Sequence, residues 1–499
     1  MEYILTIDAG TTSVKCGIFD QKLAPLGFQA GEYMLDTPNP YTVEADPQVY
    51  LAKVMDCLRY FREERGIDTR LVRHIVITTQ GETLIPVGAQ GDILGKAIVW
   101  LDSRAAAEAE ELAQQFSEAD VYAKTGLPGM DGYLPIAKLA NVKKHQRALY
   151  DQAYKFLLLE DFLIWQLTGE VVTEKSLISS TGYYDIAADR LWDEVLAAAG
   201  IDISLIPEVA ESGQVVGKVK SEMAGALQVS PDAVVVTGAM DQTSGAVGCG
   251  NIREGVVHET TGTAMVIAAT LDNPDFHNEN RITVYKHAIP GKYLLIPICR
   301  TAAIIQKWFK EQFCGEEERR AIEKGVSVYD LMSDMAKESK PSSDGMIMVP
   351  YFNGSTAPEI IEGTQGMFFG LGLNTTKNDF IRSIPEGLSF MLRENLEMFD
   401  RMGIHTTSVR SLGGVSKNPF WSQVKADVTG RQIVTSPDLD STAFGAACFA
   451  AVAAGYFKSL DEAVSVYDVL RAFDPDKENK KLYDIKYKRY QNMINHIKK

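Results

Sequence analysis

Apolar residues run together at Tyr3 to Ile7, give way to the small polar string Asp8-Ala9-Gly10-Thr11-Thr12-Ser13, and resume with strand-like alternation at Val14 to Phe19. Phe28 to Met34 continues this as a third strand, so the pattern predicts an antiparallel meander. The period then changes. Asp46 can cap a helix with Pro47 at its first position, and Val54, Met55, Leu58 and Phe61 follow at helical spacing. His74 to Thr79 is a strand rich in β-branched residues. A meander followed by helix–strand units predicts a mixed sheet covered by helices.

The same order begins again near the middle. Ala233 to Thr237 is an apolar strand entering Gly238-Ala239-Met240-Asp241, and Val256 to Glu259 leads through Thr260-Thr261-Gly262-Thr263 to the apolar run Ala264 to Ala268. Val409 to Leu412 then runs into Gly413-Gly414, and Asn418 can cap a helix that has Pro419 at its first position. Upstream, Ser383-Ile384-Pro385-Glu386 has capping-box spacing, so Pro385 is expected to open a fresh turn, with Leu388, Met391, Leu392, Leu396 and Phe399 on one face. The halves share a plan, which places a domain boundary near Gly245 to Gly250 and predicts an N-terminal domain over 1–246 and a C-terminal domain over 247–499.

Composition narrows the class. The chain has 499 residues, 45% of them apolar, which suffices for two or three cored domains at roughly 150 residues each. A net charge of −16 argues against nucleic acid or an anionic membrane as partner. Ser441 to Phe457 is uncharged but shorter than the roughly 20 residues of a membrane span, and is expected to be a buried helix. The opening Met1-Glu2-Tyr3-Ile4 has no basic signal-type region, and six scattered cysteines without a C-x-x-C pair fit free thiols, so a cytoplasmic protein is expected. A homodimer is the commonest soluble assembly.

No G-x-x-x-x-G-K-[ST] loop, G-x-G-x-x-G strand–helix turn or H-E-x-x-H motif is present. The Gly/Thr turns offer another route to phosphate. Gly10 permits close backbone approach, Thr11 and Thr12 supply donors, Lys15 adds charge, and Asp8 at a strand end is a hard ligand for Mg²⁺. Thr261-Gly262-Thr263 can act likewise from the other half. Asp241, between runs of small residues, suits a general base, or alternatively a helix N-cap. Gly413-Gly414 fits close approach of a flat base such as adenine, or simply a tight turn. Gln80, Glu82, Trp100, Asp102, Arg104 and Tyr133 could hold sugar hydroxyls and C–H faces; Asp102 and Arg104 could equally form a structural ion pair.

Taken in register, these pieces resemble the FGGY carbohydrate kinases. The resemblance rests on Ile7 to Lys15, Val99 to Arg104, Gly238 to Gln242, Thr261-Gly262-Thr263, Gly366 to Leu371 with Pro385-Glu386-Gly387, and Leu412-Gly413-Gly414 through Asn418-Pro419. It implies two ribonuclease-H-like (actin-like) domains with ATP and sugar in the cleft between them. It further implies Mg²⁺ at Asp8, phosphates at Thr11, Thr12, Lys15, Gly262 and Thr263, and the nucleoside at Gly414 and Asn418. Asp241 would be the base, and Gln242, Glu82, Trp100 and Tyr133 would face the acceptor. Gly81 stands where glycerol kinases carry an Arg, which removes a hydroxyl donor and is expected to open space. Xylulokinases typically have a Met-His pair in this loop, where this chain has Gly81-Glu82, yet Ser244 to Gly248 resembles xylulokinase. The expected reaction is γ-phosphoryl transfer from MgATP to a terminal hydroxyl of a ketose or polyol, a pentulose such as xylulose first. Glycerol or a tetritol is the alternative acceptor, and an actin- or Hsp70-like ATPase without sugar chemistry is the rival from another class.

Overall fold

The computed structural model describes residues 2–276, 280–359, 361, 364–436, 440–466 and 471–497. By their contacts these form two units. The first comprises 1–252 with 272–295 and 440–467, and the second 253–271 with 296–439 and 468–499.

The first unit is built on a sheet of six strands: β1 (Tyr3–Ala9), β2 (Ser13–Asp20), β3 (Pro25–Glu32), β4 (Val72–Thr79), β5 (Val215–Lys218) and β6 (Val234–Met240), in the order β5-β6-β4-β1-β2-β3. The expected meander is present as the antiparallel pairs β1/β2 and β2/β3. β4 adds parallel to β1, and β6 parallel to β4. Both central strands are apolar on both faces, as strands covered twice must be. Helix Gln48–Glu63 packs Tyr50, Val54, Leu58 and Phe61 on one face, joined by Phe162, Leu163 and Leu167 of helix Leu159–Thr168. Asp46 does cap the first of these helices, its Oδ1 accepting the Gln48 N–H at 3.0 Å, while Pro47 already has helical backbone. Helix Ser441–Ala453, apolar all round, is buried as expected and belongs to this unit.

The second unit repeats the plan. Its strands are β7 (Val257–Thr261), β8 (Met265–Leu271), β9 (Ile298–Cys299), β10 (Ser408–Leu412), β11 (Gln432–Thr435) and β12 (Arg471–Phe473). The steps β9/β8 and β8/β7 are antiparallel, β7/β10 and β10/β11 parallel, and β11/β12 antiparallel. In the first unit β3/β2, β2/β1, β1/β4, β4/β6 and β6/β5 run through the same series.

One expectation needs correction. Ser383 does not start a helix; helix Lys377–Arg401 runs through Pro385 without a fresh turn. The box closes earlier, where Asp379 Oδ2 accepts the Thr376 N–H at 2.7 Å and its hydroxyl at 2.8 Å. Glu386 lies inside the core, where Arg382 (2.7 Å), Tyr483 (2.8 Å) and Lys486 (2.5 Å) neutralise it. That network and the buried face of Leu388, Met391, Leu392, Leu396 and Phe399 keep the helix continuous through a proline that lacks an N–H. Among the described residues no helix is long and apolar enough to cross a membrane.

Candidate active site

Three parallel strands of the first unit end side by side. In register, Asp8 of β1 lies beside Thr78 of β4, and Thr79 beside both Ala9 and Met240 of β6. The residues that follow, Gly10, Gln80 and Asp241, therefore emerge at one edge, the carboxyl edge where open α/β sheets bind ligands. The approach of β6 to β4 requires Gly238, since a Cβ there would sit 1.9 Å from the Ile77 carbonyl oxygen.

At the first turn, Gly10 N–H bonds the Ser13 carbonyl at 3.0 Å, and Tyr33 donates its hydroxyl to the Gly10 carbonyl at 2.5 Å. Thr12 is exposed and Thr11 half-buried, its Oγ1 accepting the Trp100 indole N–H at 2.9 Å. Lys15 pairs with Asp8 across the hairpin, with Nζ 3.8 Å from Asp8 and 2.8 Å from Asp440. Burial pushes Asp8 up to about 7; Lys15 opposes this, while the charges of Asp241 and Asp440 reinforce it. Three carboxylates thus converge here with Lys15 among them. Asp440 was not singled out from the sequence. It also caps helix Ser441–Ala453, Oδ1 accepting the Ala443 N–H at 3.1 Å, and nothing in its local pattern sets it apart from any other helix cap.

Asp241 is the first residue of helix Asp241–Gly248, whose N-cap is Met240, so Asp241 does not take the N-cap alternative. Its Oδ1 accepts the Gln242 N–H at 2.6 Å. Burial raises Asp241 to about 7, lowered somewhat by that N–H and raised again by the charge of Glu82. Glu82 is also pushed up by burial, against the pull of Lys138 and a hydrogen bond from Ser180. Tyr285, on the hairpin Val284–Lys286/Tyr293–Leu295, is held far above the ordinary phenol range by burial and by the charges of Glu82 and Asp241. It therefore faces the same group, although no sequence motif marks it.

Gln80 is buried, and neither end of its side-chain amide has a protein partner. Such an amide is costly unless water or a ligand satisfies it. Tyr133 is exposed just before helix Pro135–His145. Asp102 takes the structural alternative. It is fully buried, accepts the Val43 N–H at 2.7 Å and the Arg104 guanidinium at 2.6 to 2.9 Å, and Arg104 reaches Glu44 at 2.7 Å. No lone pair of Asp102 is left for an acceptor. The space expected at Gly81 is likewise taken: a Cβ there would meet Ser180 Oγ at 3.0 Å and Met240 Sδ at 3.3 Å.

In the second unit, the turn between β7 and β8 is fixed by Gly262 N–H to Ala264 (2.9 Å) and by Ala302 and Ala303 N–H to the Thr263 and Gly262 carbonyls (both 2.8 Å). A cavity of about 440 Å³ opens beside it, lined by Gly262, Ala303, Gln306, Asp330, Gly414 and Asn418 among others. Its size is that of a small-molecule pocket. Gly413 has φ of 80°, and its Cβ would lie 3.1 Å from the Thr261 carbonyl; Gly413 and Thr263 are exposed at the turn. Asn418 does cap helix Pro419–Thr429, Oδ1 accepting the Phe420 N–H at 3.0 Å and Nδ2 donating to Ser333 at 2.7 Å, so it lines the cavity with its amide engaged. Gln306 and Asp330 come from helices with no sequence motif and were not foreseen, whereas the resemblance already sets Ala303 near the phosphates.

Comparison with known proteins agrees with this layout. Residues 3–248 match the N-terminal domain, and 256–454 the C-terminal domain, of the FGGY family of carbohydrate kinases. A glycerol kinase of Thermococcus gammatolerans is 30% identical over 492 residues, 96% of each chain. A xylulose kinase of Staphylococcus xylosus is 24% identical over 462 residues, 93% of each chain. The crystal structure of gluconate kinase from Lactobacillus acidophilus superposes with a TM-score of 0.88 at 23% identity, covering 100% of this chain and 98% of that one. With both domain models matched in order along its length, the chain belongs to the FGGY family of carbohydrate kinases and is an ATP-dependent sugar kinase.

Proposed function

We propose that the first unit binds an uncharged ketose or polyol, a pentulose such as xylulose foremost, and that Asp241 takes the proton from its terminal hydroxyl. The oxygen so freed attacks the γ-phosphorus of ATP, the bond to the bridging oxygen breaks, and ADP leaves. The observation that carries this is Asp241 at the end of β6, beside Glu82 and raised to about 7, where a carboxylate is both ionised in part and basic enough to accept a proton. The nucleoside occupies the cavity at Gly414 in the second unit, where the Gly262-Thr263 turn can donate to phosphate, and the first unit carries its own such turn at Thr11-Thr12.

Asp8 and Asp440 would hold a Mg²⁺ that keeps most of its water and neutralises charge on the phosphates; the burial that lifts Asp8, with the repulsion of its carboxylate neighbours added, is what such a cation offsets. Among the described residues no cluster forms a full protein cage for a metal. Gln80, with both amide ends unmatched, Glu82 and the Trp100 face read the hydroxyls and C–H groups of the acceptor.

The charges around Asp241 favour a neutral acceptor. Glu82 acts on it, it acts in turn on Asp8, Lys15 is engaged by Asp440, and Gly81 offers no cation. An aldonate would bring its carboxylate into this field unpaired. A coupled ADP-release assay over xylulose, ribulose, erythritol, glycerol and gluconate tests the reading. A ketopentose should be turned over best, and gluconate at least about 100-fold more slowly, the cost of one unpaired charge. Gluconate as the preferred substrate would overturn it. Asp241→Asn should lower kcat by about 10²- to 10⁴-fold with ATP binding retained; near-normal turnover would remove Asp241 as the base. The six cysteines are all buried free thiols, which agrees with work in a reducing cytoplasm.

A further inference from the structure

Resting on the reading that Glu82, Trp100 and Tyr133 face the acceptor, we propose that Lys138 is the positioning residue of that site. Its ammonium ties the backbones of the acceptor segments into one fixed constellation. Lys138 projects from helix Pro135–His145 and is fully buried. Its Nζ lies 3.0 Å from the Glu82 carbonyl, 3.0 Å from the Val99 carbonyl and 3.5 Å from the Trp100 carbonyl. Burial lowers Lys138 to about 7, with the charges of Glu82 and Asp102 opposing that fall, and its N–H groups are turned onto main-chain oxygens.

Burying a lysine in this way is expensive, and an apolar side chain would fill the space at less cost. What the ammonium supplies is a common anchor where the chain leaves two paired strands, just before Leu84–Val87 and just after Ala97–Ile98, which meet at Leu84 and Ile98. Glu82 has φ of 53°, a left-handed conformation that a non-glycine residue leaves unless its surroundings hold it there. The bond from Lys138 to the Glu82 carbonyl supplies that hold, and with it the position of a carboxylate whose charge acts on both Asp241 and Tyr285. The contacts to Val99 and Trp100 fix the segment whose indole N–H reaches Thr11 in the phosphate turn at 2.9 Å. Tyr133 enters the same helix just before Lys138. One buried amino group therefore sets Glu82 and Trp100 relative to each other and to the turn expected to hold phosphate. Lys138 touches neither substrate nor phosphate; it acts through the groups it holds.

The test is steady-state kinetics of Lys138→Met with the best acceptor of the panel, beside calorimetric ADP binding. The acceptor KM should rise about 10- to 100-fold, the loss of one or two charge-assisted hydrogen bonds, while the ADP Kd stays within about threefold of wild type. An acceptor KM within about twofold of wild type in the folded variant would overturn the proposal. Should Lys138→Met fail to melt cooperatively, Lys138→Arg decides. Its charge is kept, but a planar guanidinium cannot direct donors at three carbonyls set for an ammonium. A severalfold rise in acceptor KM with ADP binding intact supports positioning, and a wild-type KM sinks it. Glu82→Gln and Trp100→Phe are measured in parallel. If these raise the acceptor KM and the Lys138 variants do not, the positioning role falls alone; if none does, the acceptor-site reading falls with it.

Discussion

Asp8 and Asp241 are the same side chain at the ends of β1 and β6, the two strands that flank β4, each lifted to about 7 by burial, yet their neighbours give them different parts. Asp8 has Lys15 across the hairpin and two further carboxylates, so a cation restores its charge; Asp241 has a backbone N–H and Glu82. With MgATP saturating, the titrations left to see are those of Asp241 and of Glu82, which burial also raises to about 7. A raised carboxyl loses its proton only as pH climbs through about 7, and a base works only without it. Turnover should therefore fall tenfold per pH unit below about 7 and level off above it, read as the acidic limb of kcat against pH. A flat profile from about pH 5.5 to 8 would show that no such base titrates. These two aspartates were legible in the sequence because a carboxylate among small residues at a strand end is a local pattern. Tyr285 and Asp440 were not, since each reaches the site through tertiary packing, and their own neighbourhoods read as an ordinary strand and an ordinary helix cap.

At the scale of elements, the hairpins were the easiest feature to foresee and their support the hardest. The turn after β7 owes its position to a buried pair beneath it. Lys425 Nζ meets Glu259 Oε1 at 2.5 Å and Thr261 Oγ1 at 3.1 Å, and both charged side chains are almost wholly excluded from water. These residues come from β7 and helix Pro419–Thr429, far apart in sequence, so no spacing announces them. Lys425→Met leaves Glu259 buried without its cation. That should cost about 3–5 kcal/mol of stability in urea unfolding and weaken ADP binding, because Thr261 loses its anchor beside Gly262. A loss under about 1 kcal/mol would mean the carboxyl simply takes up a proton. Pro385 teaches the converse: a strong local breaker was overridden by Glu386 and its three partners, which a single sequence does not place in one core.

At the scale of the molecule, the repeat of strand pattern promised two successive domains, but the chain is threaded more closely than that. Helix Ser441–Ala453 and the segment 272–295 belong with the first unit. The contact of that helix with Asp241–Gly248 is backbone on backbone: a Cβ at Gly248 would lie 1.8 Å from the Ser441 carbonyl, and one at Gly445 would lie 2.0 Å from the Ser244 carbonyl. Ser244 Oγ also donates to the Thr442 carbonyl at 2.9 Å. The helix that starts with the base is thus seated on residues nearly 200 positions later. A fragment ending at residue 252 would keep the whole six-stranded sheet and still lack the helix that covers one of its faces. Apolar surface left open in that way favours a loosely packed state over a unique one. The fragment 1–252 should therefore show strand and helix signal by far-ultraviolet circular dichroism but no cooperative urea transition. Supplying residues 440–467 through a flexible linker should restore the transition and acceptor binding together, because the seat of Asp241 is rebuilt. Cooperative unfolding and acceptor binding by 1–252 alone would show that the N-terminal sheet needs no later segment, and that the glycine-lined contact is dispensable to the base it supports.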